Sequence, residues 1–149
     1  MATAWQDESN TITVGRCPFN DGSCYYGQWD QQRFAQGYGC WIGCQKKGKF
    51  EGYYQDGLEI IGTYTWPSGE IYHGQWSNGQ RHGFGIQKYK GSIYAGYWNR
   101  GICDYLGAIW NRCGSIYFGT WQDGHKTGYA TEAYLDGKKI NFISHHILQ

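Results

Sequence analysis

Tyr72-His73-Gly74-Gln75-Trp76, with Gly79 three residues on and Gly83 and Gly85 beyond it, is the stretch on which the fold turns. Its pattern is aromatic, any residue, glycine, any residue, aromatic. The same pattern reads Tyr25-Tyr26-Gly27-Gln28-Trp29 and Phe50-Glu51-Gly52-Tyr53-Tyr54 before it. Tyr94-Ala95-Gly96-Tyr97-Trp98 and Tyr117-Phe118-Gly119-Thr120-Trp121 follow. Successive starts lie 25, 22, 22 and 23 residues apart, so the chain is a repeat protein before it is anything else. Gly57, Gly79, Gly101 and Gly124 recur three residues after the second aromatic, whereas the first unit has Gln32 there. Turn-forming pairs punctuate the units: Asp21-Gly22, Lys47-Gly48, Ser68-Gly69, Lys90-Gly91, Cys113-Gly114 and Asp136-Gly137.

Each unit therefore reads as strand, glycine-rich loop, strand, tight turn. About ten antiparallel strands are expected, at roughly 4.8 Å apart a sheet of about 50 Å. The fold class is all-β, an elongated single-layer twisted sheet of hairpin repeats. In a strand, positions one, three and five share a face. Tyr72, Gly74 and Trp76 then lie together, and the missing side chain leaves room for a ring from a neighbouring strand. Stacked units would build an aromatic ridge that no single hairpin could bury. Residues 1–18 read as a cap with Ile12 and Val14, 19–139 as the repeat domain, and 140–149 as a closing strand. A sixth glycine is due in that strand, and Phe142 stands in its place.

Composition agrees. Glycine contributes 24 of 149 residues, and aromatics make up 19%. Leu, Ile, Val and Phe together number only 24, too few for a conventional aliphatic core. The formal charge of +1 argues against a nucleic-acid partner. No apolar run is long enough to span a bilayer as a helix. The polar start Met1–Asn10 has no secretion-signal core, so Cys17, Cys24, Cys40, Cys44, Cys103 and Cys113 are expected as reduced thiols in the cytosol.

The pattern resembles the MORN repeat, and within that family the N-terminal repeat block of junctophilins. The most specific stretch is Thr63-Tyr64-Thr65-Trp66-Pro67-Ser68-Gly69, then Tyr72-x-Gly74-x-Trp76 and Gly79-Gln80-Arg81-His82-Gly83-Phe84-Gly85-Ile86. Gly57-Leu58-Glu59-Ile60-Ile61-Gly62 adds to it, and the likeness runs roughly from Phe19 to Lys138. It implies five to six hairpin repeats and a non-catalytic scaffold. Junctophilins hold the plasma membrane close to the endoplasmic or sarcoplasmic reticulum, and their repeats engage phospholipids and voltage-gated calcium channels. The sequence has no membrane helix, no long joining segment with later repeats and no long helix to lie along the sheet. The resemblance thus reaches the plasma-membrane-side recognition block and not a two-membrane tether. The expected setting is the cytoplasm, peripheral to the plasma membrane or its junction with the reticulum.

Three roles follow. The first is binding of a protein segment, such as a calcium-channel peptide, by half-exposed rings. Tyr26, Tyr53, His73, Tyr97 and Phe118 are the candidates on the face opposite the ridge, with Trp76, Trp98 and Trp121 if the ridge itself binds. The face opposite the ridge also carries Gln28, Glu51, Gln75, Ala95 and Thr120. The second is attachment to anionic phospholipid through Lys46, Lys47, Lys49, Lys88 and Lys90, each contributing at most about 1 kcal/mol. The third is a regulatory module serving a separate enzyme, as MORN repeats also occur in lipid kinases and methyltransferases. Catalysis by the chain itself is not expected: His73, His82, His125, His145 and His146 are scattered, and no nucleophile motif is present. No cofactor is implied. A zinc site from Cys17, Cys24, Cys40 and Cys44 has loose spacing, so thiols packed among rings are the default. Cys40 or Cys44, beside the lysines, also suits S-acylation.

Overall fold

The computed structural model describes residues 12–45 and 47–144. The element order is β1 (Thr13–Pro18), β2 (Cys24–Trp29), β3 (Ala35–Ile42), β4 (Lys49–Gln55), β5 (Leu58–Thr65) and β6 (Ile71–Ser77). It continues with β7 (Gln80–Tyr89), β8 (Ser92–Asn99), β9 (Ile102–Trp110), β10 (Ile116–Gln122), β11 (His125–Ala133) and β12 (Lys139–Ser144). All twelve form one open antiparallel sheet in sequence order. The count exceeds the expected ten because both flanking segments are strands: β1 pairs with β2, and β12 with β11. Of the closing segment, residues 139–144 pair with the edge of β11 as the last strand, and 145–149 lie outside the described residues.

The glycines fall in one cross-strand row. Gly15, Gly27, Gly39, Gly52, Gly62, Gly74, Gly85, Gly96, Gly107 and Gly119 stand in register, and Ala130 and Phe142 complete the row. The second strand of each hairpin, expected from the repeat, supplies every other member of this row. The real turns are two residues long. Asp56-Gly57, Asn78-Gly79, Arg100-Gly101 and Asp123-Gly124 have both φ values positive, the geometry whose twist matches paired strands. The first hairpin, where Gln32 replaces glycine, closes instead by a longer loop over Asp30–Phe34 with Arg33 at φ 67.

At Gly27, Gly74, Gly96 and Gly119 the covering ring comes from two residues earlier in the same strand, and for the first three the glycine opposite on the return strand is reached by that same ring. Tyr72 folds down across Gly74 and reaches Gly85 on β7; Tyr94 does the same over Gly96 and Gly107. A side chain at Gly85 would overlap the Tyr72 ring. Lying flat, each tyrosine reaches a backbone carbonyl: Tyr25 donates to Gln28 O (3.1 Å), Tyr72 to Gln75 O (2.9 Å), Tyr94 to Tyr97 O (3.1 Å) and Tyr117 to Thr120 O (3.1 Å). The second aromatic then wedges between successive tyrosines. Tyr25, Tyr54, Phe50, Trp76, Tyr72, Trp98, Tyr94, Trp121 and Tyr117 form an unbroken edge-to-face ladder with centroids 5.1 to 5.6 Å apart. Each such pair is worth about 0.5–1.5 kcal/mol beyond area burial. Indole N–H groups tie units together: Trp76 donates to Gly62 O, Trp98 to Gly85 O and Trp121 to Gly107 O at 3.3 to 3.4 Å. Tyr72 and Tyr117 are 0% exposed in a protein with a single layer.

Candidate functional site

The opposite face has no glycine row, and its rings cannot lie down. Tyr26, Tyr53, Tyr97 and Phe118 are each between 43 and 56% exposed, and His73 is exposed as well. These five sequence candidates occupy the surface expected of them. Residues from the return strands join them. Tyr38, Ile61, Phe84 and Leu106 are also large, apolar and exposed. Cross-strand register places Tyr38 opposite Tyr53, Tyr53 opposite Ile61, and Phe84 opposite Tyr97. Tyr38 meets Tyr53 edge-on at 5.4 Å, and Phe84 meets Tyr97 at 5.8 Å. These additions were readable in principle: each immediately precedes a glycine of the row, at Tyr38-Gly39, Ile61-Gly62, Phe84-Gly85 and Leu106-Gly107.

Polar groups are interspersed. Tyr38 donates to Glu51 at 3.4 Å, Lys49 pairs with Glu51 at 2.7 Å, and the Thr63 hydroxyl lies 2.7 Å from His73 Nδ1. Lys49 holds the Glu51 carboxyl below its ordinary value. Glutamines and a threonine on this face serve the backbone. Each hairpin carries an irregularity within two residues after its first glycine, and in the third hairpin Gln75 Oε1 accepts the Phe84 N–H at 2.8 Å. Thr120 donates to the Thr127 carbonyl at the matching place in the fifth.

The tryptophan candidates sit elsewhere. Trp98 and Trp121 are buried in the ladder and Trp76 is packed against it, so their rings are committed to the interior. The lysines do not gather into one free patch. Lys47 pairs with Asp21 at 2.9 Å, Lys49 with Glu51, and Lys90 sits 4.9 Å over its neighbour Tyr89. Lys88 is exposed and makes no ion pair among the described residues; Lys46 lies outside them. Hydrogen bonds from Ser23 and Lys47 hold the Asp21 carboxyl far below the usual range. Of the thiols, Cys17 packs into the ladder-side cluster, while Cys40 stands opposite Tyr26 and Glu51 on the other face. The four N-terminal cysteines therefore cannot converge, and among the described residues no three metal-ligating groups cluster. Among the described residues, too, no helix is long and apolar enough to cross a membrane.

No known protein-family model matches the chain.

Proposed function

We propose that the chain is a non-catalytic scaffold whose uncovered sheet face binds a protein segment. The MORN-like pattern makes a cytoplasmic stretch of a voltage-gated calcium channel, at or near the plasma membrane, the segment of choice. The observation that carries the reading is the row Tyr38, Tyr53, Ile61, Phe84, Tyr97 and Leu106 on the face opposite the ladder. Six large apolar side chains held on a rigid sheet lose little entropy on binding and offer aromatic anchors of the kind that dominate interfaces. Neutralised Lys47 and Lys49 favour this over attachment to anionic lipid.

Titrating channel-loop peptides by calorimetry tests the proposal. Binding should persist at high salt, because it rests on buried rings and not on screened charges. Tyr97→Ala and Phe118→Ala should each weaken it by about tenfold. Each should change stability by only about 0.5 kcal/mol, as expected of exposed positions. Co-sedimentation with anionic vesicles that vanishes as salt rises, with no peptide binding, would transfer the role to a phospholipid surface.

A further inference from the structure

The ladder side carries a cavity of about 480 Å³ at its N-terminal end, lined chiefly by Tyr25, Trp41, Tyr54 and Tyr64 with Glu59 and Arg33. That volume falls within the range of small-ligand sites, about 300–1,000 Å³. Its origin lies in one position of the repeat. Opposite the second motif aromatic stand Ala35, Glu59, Arg81, Cys103 and Lys126 in the five successive hairpins. Where that residue is a long cation it covers the ladder. The Arg81 guanidinium lies 4.3 Å from the centroid of Trp98 and 5.8 Å from that of Trp66, and Lys126 Nζ lies 4.1 Å from that of Tyr117. In the first two hairpins the same position is a small alanine and a carboxylate. Among the described residues no cation is stacked over the rings there, and a cavity opens beside them.

The polar groups of this cavity point the same way. Glu59 is half-buried and makes no ion pair among the described residues. Arg33 is at the exposed rim, where it donates to Cys17 Sγ at 3.0 Å and to Pro18 O at 3.2 Å. The Tyr54 hydroxyl is buried, in a side chain only 6% exposed, and no hydrogen bond of normal geometry reaches it among the described residues. Burial first, and the Glu59 charge second, push the Tyr54 phenol well above its ordinary value, so it stays neutral.

We propose that this cavity binds a methylated ammonium group, held against the rings of Trp41, Tyr54 and Tyr64 with Glu59 as counter-ion. A weakly hydrated cation between π faces and a carboxylate repeats what Arg81 and Lys126 do for the later hairpins. An anionic group at the other end of the ligand would meet Arg33. Phosphocholine has this chemistry, free or as a lipid headgroup.

The test is calorimetry on the full chain with phosphocholine and with 3,3-dimethylbutyl phosphate, which keeps the shape and the phosphate but lacks the positive charge. Phosphocholine should bind about tenfold more tightly than its carbon analogue. Glu59→Gln should remove that difference while leaving the binding of the analogue and the melting temperature unchanged. Phosphatidylcholine vesicles that pellet the chain would assign the cation to a headgroup; binding of free phosphocholine alone would assign it to a soluble ligand. Equal affinity for the two probes, or no affinity for phosphocholine in any form, overturns the proposal, and neither result bears on the peptide reading of the opposite face.

Discussion

The two faces of this sheet are made by the same strands, both carry aromatic rings and both meet the same solvent, yet one is an interior and the other a surface. The glycine row makes the difference. A ring can bury itself against a single layer only by lying on backbone that has no Cβ atoms, and ten in-register glycines provide such a track. Rings on the track reach carbonyl oxygens with their hydroxyls and each other with their edges. No such row of glycines crosses the opposite face, and Tyr53 and Phe118 there keep about half their area in water. A sheet with no second layer thus gains a core on one side and keeps apolar area available on the other.

Filling the track is the most severe way to break this asymmetry. Gly85→Val places branched carbons where the Tyr72 ring lies, and the sheet should lose about 3 kcal/mol or more in urea unfolding. Gly69→Ala is the control. Gly69 has φ 82 in a turn with nothing within 4 Å of a new Cβ, so only backbone strain of about 1 kcal/mol is expected. Equal costs for the two would mean that the row matters for its backbone and not for the rings.

Alkali probes the ladder without mutation. Burial raises the phenols of Tyr25, Tyr72, Tyr94 and Tyr117, with Tyr72 at about 12. An unfolded tyrosine ionises near about 10. The folded sheet therefore holds the neutral form more firmly than the unfolded chain does. Its contribution to stability is complete below about pH 10 and is lost as pH rises through about 12 for Tyr72. Tyrosinate absorbance from these four should appear together with the loss of β-sheet circular dichroism. Their ionisation in an intact sheet would show the ladder to be wetter than its burial indicates.

Much of this was legible in the sequence, for physical reasons. Residues spaced by two must share a face, so the motif alone assigns Tyr72 and Trp76 to one side and His73 and Gln75 to the other. Glycine spacing alone gives the hairpin period. The direction in which a ring folds was not legible. Whether Tyr72 covers its own strand or a neighbour depends on the rotamer and on a carbonyl three residues away, which no periodicity records. The commitment of Trp98 and Trp121 to the interior escaped for the same reason, since an uncovered layer offers no obvious interior. The N-terminal cavity was hidden because it depends on what stands across from an aromatic. Ala35 faces Trp29 only once the register and its one irregularity are known.

The finest test of how the faces communicate lies in the fourth hairpin. In hairpins one, three and five the irregularity after the motif glycine is made by Gly37, Gly83 and Gly128 at φ 59 to 62, and a Cβ there would strike Gln28, Gln75 or Thr120 respectively. In the fourth, Tyr105 takes φ 58, and Tyr97 stands where those polar side chains stand. The two departures belong together. With no glutamine reaching for the stranded backbone, the place of a glycine can accept a Cβ, at the cost of a strained tyrosine. Tyr97→Gln alone should therefore destabilise, because the amide meets the Tyr105 Cβ. Tyr105→Gly alone should be nearly neutral, since relief of strain is offset by glycine's greater freedom in the unfolded chain. Together they should restore a bond like that from Phe84 N–H to Gln75, with a favourable coupling of about 0.5 kcal/mol in a double-mutant cycle. Strict additivity would show that the backbone, and not the exchange of side chains across it, sets the shape of this hairpin.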